Sequence, residues 1–425
     1  MSTKVPLNVP GFPDFLCFGG FVDLTEGNEA DLVAAKASAI FRYAGLDGAG
    51  DASQFLTEDS ATTKTIALAR SVEKTLGGEH RVVPVLVSYT CNLSSGDIQR
   101  GLQDSEGLAH SFGNLILSLR IAIQQAGGER KSPAAYIVNP DFISTCQQQG
   151  LSPDFHMPVR QPLSYALERA RIQATIPNTI TETLRGHVQA VNWLIRTVAP
   201  DVAFGYSVNI WGGGSAMWVQ SNDDPRVEAS KAGDYIKSLG VLDGGYRPNF
   251  IAIDRYEADD FTVRAYTNGY CYGPREWARF FDFCGALGEA VRLPVMVWQM
   301  PASHLPASTD AVNGDFDSQH WGTGGSYLFG DSAIGSDLYK INERVLALRM
   351  PEHLPSAGKD VKEVFQRAEP FDLSKPAYES LPSRGIFAVF LGGGATTGLV
   401  SSIGSSSSWA RDKVKTYMNS PIPLK

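Results

Sequence analysis

Eight short apolar runs, separated by segments with helical periodicity, constrain the fold of this chain more than any other feature. The runs are rich in β-branched and aromatic residues, and they lie at 15–22, 38–43, 82–89, 134–139, 202–211, 250–254, 294–300 and 385–391. Amphipathic helical patterns such as 57–76, 107–126 and 181–198 lie between them. Strands that alternate with helices form parallel sheets, and eight such units close into a barrel. The sequence therefore predicts an α/β fold, a (β/α)8 barrel of the TIM type.

The length of the chain predicts long loops on this barrel. Such barrels usually have about 250 residues and exceed 400 with insertions, whereas this chain has 425. The extra length follows the fourth run and fills 303–384, so we expect βα-loop insertions after strands 4 and 7 in a single elaborated domain, 1–425. An open doubly wound sheet is the alternative. It predicts a GxGxxG turn after the first strand, where Gly19-Gly20-Phe21-Val22-Asp23 stands instead.

Charge and composition exclude several classes of partner. The formal net charge of −8 argues against nucleic-acid binding. No apolar run approaches the roughly 20 residues that span a bilayer, and the start shows no signal-peptide pattern. We expect no membrane partner and a cytoplasmic protein as written, or a secreted one if a leader has been removed. The five cysteines and seven histidines form no CxxC, HxH or HExxH spacing, so we expect no metal and no cofactor. The sequence does not indicate an oligomeric state.

Polar and aromatic residues gather where the predicted strands end. In a barrel these ends form one mouth, which carries the site. Carboxylates, amides and tyrosines bind sugar hydroxyls, and aromatic rings stack on sugar faces. The ring therefore predicts a carbohydrate ligand. Its members are Arg42, Tyr89, Asn139 with Asp141, Tyr206 or Asn209, Asp254 with Glu257, and Trp298 with Gln299. The tryptophans Trp211, Trp298 and Trp321 are either sugar subsites or core aromatics.

The sixth run ends in a cluster of acids, Asp254-Arg255-Tyr256-Glu257-Ala258-Asp259-Asp260. Glycoside hydrolysis needs one protonated carboxyl and one ionised carboxylate, and Asp141, Asp254 and Glu257 are the candidates. Alternatively, Glu257 and Asp259 or Asp260 supply both acids from one loop. Asp141 could instead be an ordinary turn residue or helix cap.

The apolar residues before Asp254 predict that it is buried. A buried carboxylate needs a partner, and we expect Arg255 or Arg42 to provide it.

Two glycine-rich segments are open to more than one interpretation. The segment 318–326 has the composition of a mobile lid in which His320 and Trp321 close on a ligand, or it is merely a glycine-rich loop. The segment 391–398 could hold phosphate on backbone amides, as in a lyase or isomerase of a phosphorylated metabolite. No lysine stands at a predicted strand end, which disfavours Schiff-base chemistry. A glycan-binding barrel without catalysis is a further alternative.

The chain carries a series of motifs, mainly within 248–425: Asp254-Arg255-Tyr256-Glu257, Trp298-Gln299-Met300-Pro301, Gln319-His320-Trp321 with Phe329-Gly330-Asp331, Phe390-Leu391-Gly392-Gly393-Gly394, and Trp409…Tyr417…Pro421. In that order these motifs resemble a group of bacterial glycoside-hydrolase-like barrels associated with carbohydrate-active proteins.

This resemblance implies a (β/α)8 fold and a glycan ligand, with Asp254, Arg255 and Glu257 matching the acidic motif. The chain departs from the large retaining clan at its fourth strand, where Asn139-Pro140-Asp141 replaces an Asn-Glu pair. The mechanism of that clan is therefore not carried over. We expect a glycoside hydrolase-like enzyme that acts on an oligo- or polysaccharide through a carboxylate pair.

Overall fold

Eight parallel strands close into one barrel. The computed structural model describes residues 5–46, 52–93, 96–125, 133–256, 258–367, 370–403 and 407–424. Each strand pairs with the next, and the first pairs with the last. The prediction of a TIM-type barrel is confirmed, and each strand lies within the run predicted for it. The strands are β1 Cys17–Phe21, β2 Ala39–Tyr43, β3 Val83–Ser88, β4 Ala135–Val138, β5 Ala203–Asn209, β6 Phe250–Asp254, β7 Val295–Met300 and β8 Ile386–Leu391.

Helices surround the barrel, as the amphipathic patterns predict. They are α1 Asn28–Ala35, α2 Ser60–Leu76, α3 Ile98–Gln103, α4 Ser105–Gln124, α5 Phe142–Gln148, α6 Arg160–Arg169, α7 Leu184–Val198, α8 Pro225–Ser238, α9 Val263–Thr267, α10 Pro274–Val291, α11 Phe316–Gln319, α12 Gly324–Phe329, α13 Glu343–Leu346, α14 Val361–Phe365 and α15 Ser407–Tyr417. Short 3₁₀ turns lie at Ala216–Val219, Leu338–Lys340, Ala377–Ser380 and Pro382–Arg384.

Aromatic rings fill the barrel. Phe41 stacks on Phe390 with 5.7 Å between ring centroids. At the amino-terminal end of the strands, Phe12 packs edge-on against Phe387 and Phe250, at 5.1 and 6.2 Å. Because the rings are rigid and tightly packed, they hold the polar residues at the opposite end of the strands in fixed positions.

Two connections are much longer than the others. The chain between β4 and β5 forms α5, α6 and α7, and the chain between β7 and β8 forms α11 to α14. The second connection has an apolar cluster of its own, which includes Ile334, Ile341, Val345 and Phe365 and also takes in Phe261 from the chain after β6. Loops after β6 and β7 therefore pack on each other beside the mouth. A single domain stays a prediction.

Within the described ranges, no helix has both the length and the apolar character needed to cross a membrane.

Candidate active site

Two carboxylates meet at one amide in the mouth of the barrel. Asn209 ends β5 and lies opposite Asp254, the last residue of β6. The Asn209 Nδ2 nitrogen donates to Asp254 Oδ2 at 3.2 Å and to Asp141 Oδ1 at 3.1 Å. Because both bonds start at the same nitrogen, the two oxygens are at most about 6.3 Å apart, the sum of the two lengths. Ideal trigonal geometry at nitrogen places them about 5.5 Å apart.

Further donors surround Asp254. The backbone N–H of Tyr256 donates to Oδ1 at 2.7 Å. The Gln299 amide satisfies its partners when its nitrogen faces Asp254, since Nε2 then donates to both carboxylate oxygens at 3.0 and 3.1 Å. In the same orientation, Gln299 Oε1 accepts from the Tyr43 hydroxyl at 2.9 Å. These donors favour the ionised form of a buried carboxylate.

Asp141 occupies the cap position of α5 without capping the helix. Its φ of 64° is left-handed, and its side chain makes no cap hydrogen bond. The carboxylate instead accepts from Asn209. Burial raises the pKa of Asp141, and the bond from Asn209 partly opposes that rise. Asp141 therefore differs from an ordinary helix cap. Its uncommon backbone conformation directs a half-buried carboxylate to Asn209, which also donates to the second acid, Asp254.

A pair of stacked tyrosines forms one wall of the site. The rings of Tyr43 and Tyr89 are nearly parallel, with centroids 6.2 Å apart. Burial raises the pKa of both phenols, and the charges of Asp141 and Asp254 raise it further. Both phenols therefore keep their protons and can donate hydrogen bonds. Sequence reasoning missed Tyr43 because it assigned the inward position at this strand end to Arg42.

The glycine loop after β8 forms a wall of the site, and it lies so close to neighbouring side chains that a Cβ on these glycines would collide with them. Gly393 has φ 124°, and a Cβ there would lie 2.9 Å from the end of the Gln299 side-chain amide. Gly394 has φ 56°, and its Cβ would lie 2.5 Å from the Tyr256 ring. The close approach of this backbone fixes the positions of Gln299 and Tyr256.

The same loop uses its own amides. The N–H of Gly392 donates to the Met300 carbonyl, and the N–H of Thr397 donates to the Asp259 carboxylate. Such amides are already paired, which weakens the phosphate-binding interpretation.

Three residues predicted to line the mouth have other partners. Tyr206 is buried on the outer side of the barrel, where its hydroxyl donates to the Val188 carbonyl of α7. Asn139 is fully buried, and its Oδ1 accepts from the Thr90 N–H at 2.6 Å. Arg42 donates to the Val22 carbonyl at 3.0 Å. The prediction for Tyr206 and Asn139 is therefore wrong, and Tyr43 takes the inward position that was assigned to Arg42.

Arg255 is a structural residue rather than a ligand for sugar or for Asp254. Its side chain is fully buried beside Asp260, with 3.5 Å between Nη2 and Oδ1. Its guanidinium carbon lies 4.1 Å from the Tyr272 ring centroid and 4.8 Å from that of Trp277. Adjacent strand residues point to opposite faces, which turns Arg255 away from the mouth that Asp254 faces. The expected ion pair between Asp254 and Arg255 is replaced by amide donors.

His320 joins the loops after β6, β7 and β8. Its Nδ1 lies 2.7 Å from Asp259 Oδ2, which also accepts from the Thr397 hydroxyl at 2.7 Å. The bond to Asp259 raises the pKa of His320. Asp259 and Asp260 are fully buried in such contacts, which contradicts their prediction as a catalytic pair with Glu257. His320 therefore has a structural role, because its contact with Asp259 joins these loops.

The segment after His320 is packed rather than open. Gly322 and Gly324 are buried against Ser303 and the Pro301 backbone, so closely that an added Cβ would collide. Trp321 is 9% exposed, and its ring meets His304 edge-on at 5.2 Å. The glycines therefore serve close packing, which favours the glycine-rich loop over the mobile lid, and Trp321 packs as a core aromatic.

Trp298 lies beneath the mouth and Trp211 beside it. Trp298 is fully buried, with its ring edge-on to Phe41 at 5.9 Å, and its indole nitrogen has no partner among the described residues. Trp298 therefore forms part of the bottom of the site and does not present its ring face for stacking on a sugar. Trp211 is half-buried in the turn after β5. Glu257 lies outside the described residues. In the described part of the chain, no group of three or more His, Cys, Asp or Glu side chains could hold a metal.

Comparison with known proteins gives structural neighbours only. No family model matches the chain, and no curated protein matches it. A family 18 chitinase from Pseudoalteromonas aurantia is 9% identical and has a TM-score of 0.37, over 95% of this chain and 99% of the other. A family 5 glycoside hydrolase from Streptomyces cattleya in complex with Manβ1-4GlcNAc is 12% identical, with a TM-score of 0.35, over 88% and 94%.

A third neighbour is the catalytic core of a cellobiohydrolase from Chaetomium thermophilum. It is 14% identical and has a TM-score of 0.31, over 74% of this chain and 85% of the other. These neighbours are thus glycoside hydrolases of several families.

Proposed function

We propose that this chain is an O-glycosyl hydrolase that retains anomeric configuration and uses Asp141 and Asp254 as its two carboxyls. The supporting observation is the Asn209 amide nitrogen that donates to both. Retaining enzymes hold their carboxyls about 5–5.5 Å apart, and inverting enzymes about 6.5–9.5 Å apart. The ideal separation at a shared nitrogen, about 5.5 Å, is close to the retaining range, and the upper limit of about 6.3 Å lies below the inverting range.

Asp254 is the nucleophile in this proposal. It receives donors from Asn209, Gln299 and the Tyr256 backbone, and these favour an ionised carboxylate. A carboxylate held by several donors is also fixed in orientation, which a nucleophile needs to attack the anomeric carbon in line. Attack on that carbon would form a glycosyl-aspartate intermediate and release the leaving oxygen.

Asp141 is the general acid in the first step of this proposal and the general base in the second step. Burial raises its pKa, so it can carry a proton to the leaving oxygen of the sugar. In the second step, the same group takes a proton from the water that hydrolyses the glycosyl-enzyme. The environments of Asp141 and Asp254 thus push the two acids toward different protonation states, as acid and nucleophile require.

The surrounding residues suit a sugar. The phenols of Tyr43 and Tyr89 remain protonated donors, and their parallel rings offer an aromatic wall. Trp211 adds a half-buried indole on the rim. Aromatic faces and hydroxyl-binding groups together are typical of sites for neutral sugars.

The decisive experiment is a hydrolysis screen with 2,4-dinitrophenyl glycosides that differ in sugar and in anomeric configuration, with the first product identified by proton NMR. Retention of configuration is expected. Asp254→Ala is expected to lose activity and to regain it with azide, giving a glycosyl azide of inverted configuration. On the activated leaving group, Asp141→Ala is expected to keep kcat/KM, which reports the first step, while kcat falls because the second step has lost its base. On unactivated oligosaccharides it should lose about 10²–10⁴-fold, the usual contribution of general acid catalysis.

The control is Asp412→Ala, which removes an exposed carboxyl on α15 and should change nothing. A product of inverted configuration contradicts the retaining mechanism. If Glu257→Gln abolishes acid catalysis and Asp141→Ala does not, the acid is Glu257. Oligosaccharide binding without turnover in every protein instead supports a glycan-binding barrel.

A further inference from the structure

A second cleft lies on the outer surface, away from the mouth. It has a volume of about 180 Å³ and lies between α7 and the connection 240–249 that leads into β6. Helix α7 packs on the outer face of β5, where the Val188 carbonyl accepts from Tyr206. The connection precedes β6, so the cleft lies toward the amino-terminal ends of the strands, whereas Asp254 lies at a carboxyl end. The two sites are separated by the barrel wall.

A residue that lines the cleft carries a buried acceptor that has no partner in the described part of the chain. Asn192 lines it and is 2% exposed. The Asn192 Nδ2 nitrogen donates to the Val241 carbonyl at 3.0 Å, which fixes the orientation of the amide. Asn192 Oδ1 is buried and has no hydrogen-bond partner among the described residues. A buried acceptor without a donor is unfavourable, and because Asn192 lines the cleft, a ligand whose N–H or O–H reaches Oδ1 would remove that cost.

The other walls combine aromatic rings, neutral polar groups and one carboxylate. Trp193 is 5% exposed at the base of the cleft, and Tyr246 is 41% exposed at its rim. Thr179 and Gln189 add a hydroxyl and an amide, and Asp243 is the charged residue of the lining. Among the described residues that line the cleft, one carries a carboxylate and none carries a positive charge, which disfavours an anionic ligand.

The size of the cleft limits the ligand to one ring. A cavity of about 150 Å³ holds a benzene molecule, so about 180 Å³ accommodates a single six-membered ring. The ring must present an apolar face to Trp193 and Tyr246 and must donate a hydrogen bond to Asn192. A neutral pyranose does both, because its C–H face is apolar and its edge carries hydroxyls.

We propose that this cleft is a second carbohydrate-binding site that holds one neutral pyranose unit of a glycan. The site does not depend on hydrolysis at the mouth, and it would anchor a chain to the outer surface of the barrel. Tyr246 supplies the exposed aromatic face, and Asn192 supplies the acceptor that orients the ring.

The test is isothermal titration calorimetry with cellotetraose, mannotetraose, xylotetraose and tetra-N-acetylchitotetraose, supported by saturation-transfer NMR. The parent protein carries Asp254→Asn so that turnover does not consume the probe. Thr179→Trp fills the cleft from its exposed rim, and Tyr246→Ala removes the exposed ring. The matched control is Tyr339→Ala, which removes a tyrosine that is 67% exposed on the connection between β7 and β8.

For at least one tetrasaccharide we expect a binding event that weakens about tenfold in Tyr246→Ala, which loses an aromatic contact. The same event should weaken at least as much in Thr179→Trp, where the new side chain occupies the cleft. Tyr339→Ala should leave that event unchanged. The proposal is overturned if no tetrasaccharide binds to the parent, or if Thr179→Trp and Tyr246→Ala bind all four as the parent does. Because the residues at positions 179 and 246 are exposed, both variants should fold. If Tyr246→Ala does not fold, Thr179→Trp decides alone.

Discussion

Asn209 and Asp254 lie opposite each other on paired strands, with 3.2 Å between Asn209 Nδ2 and Asp254 Oδ2. The same nitrogen lies 3.1 Å from Asp141 Oδ1. A neutral amide joins the two acids, and it reduces their repulsion less than a cation would. Two close carboxyls with such a bridge favour a state that holds one proton between them. This is the state in which one group acts as an acid and the other as a nucleophile.

The amide bridge is expected to be essential for activity. Asn209→Leu removes a donor to two carboxyls, and a hydrogen bond to a charged group contributes about 1.5–3 kcal/mol. We therefore expect kcat/KM to fall by about 10–100-fold. The control is Tyr206→Phe, on the same strand but on its outer face, which loses only the bond to the Val188 carbonyl. Equal activity of both variants on the best glycoside from the screen would contradict the role of Asn209.

The pH dependence of activity should follow Asp141. Its raised pKa sets the alkaline limb of the kcat/KM profile, since the acid must be protonated in the free enzyme. The bond from Asn209 lowers that pKa, so Asn209→Leu should move the alkaline limb to higher pH. Profiles measured with an unactivated substrate report this limb. A limb that stays in place, or moves to lower pH, would show that another group is the acid.

Tyr43 is expected to be a positioning residue. Its hydroxyl donates to Gln299 Oε1, which keeps the Gln299 nitrogen facing Asp254. Tyr43→Phe frees the amide to turn and should lower kcat by about three- to tenfold, the effect of one neutral hydrogen bond. A change confined to KM would instead indicate that Tyr43 binds substrate directly. Tyr378→Phe removes a phenol outside the mouth, where its ring packs on Tyr417, and is the control.

The fold follows from sequence because its signals are local. Apolar, β-branched runs of strand length alternate with amphipathic helical segments, and each run contains the strand predicted for it. The strand Phe250–Asp254 has the predicted bounds because a polar cluster follows its apolar residues directly. Short elements in the connection between β7 and β8, such as α11 and α14, depend on a small tertiary core and have no comparable periodicity.

The site was harder to predict because side-chain direction alternates along a strand. Arg42 and Tyr43 are adjacent, so an error of one residue in the alternation assigns the inward position to Arg42 instead of Tyr43, which forms the wall of the site. Arg255 could not be assigned from sequence either, because the aromatic residues that surround its guanidinium come from the chain 15 to 22 residues later. The acids and amides at the ends of β5, β6 and β7 were found because polar residues there interrupt apolar runs.

The close packing of the glycine loop after β8 can be tested by alanine substitutions, which add a single Cβ carbon. Gly394→Ala places a Cβ against the Tyr256 ring at a left-handed φ of 56°. Strain and collision together should destabilise the protein by about 2–4 kcal/mol and displace the Tyr256 N–H from Asp254. Gly385→Ala has φ 82° but open space around the new Cβ, so it should cost about 1–2 kcal/mol and leave activity intact. Urea unfolding and kcat/KM, measured on both variants, separate collision from strain.

The contact between His320 and Asp259 should make stability depend on pH. The pKa of His320 is raised in the folded protein by Asp259, above the ordinary value of about 6.5. Its stabilisation is therefore fully present below about pH 6.5 and is lost as the pH rises through the folded pKa. The difference in Tm between the parent and His320→Gln should shrink as pH rises from about 5.5 to about 9. Asp259→Asn should remove this pH dependence and should lower Tm at every pH, because it also weakens the bonds from Thr397. A difference that stays constant or grows with pH would mean that a neutral hydrogen bond, and not an ion pair, joins the loops after β6 and β7.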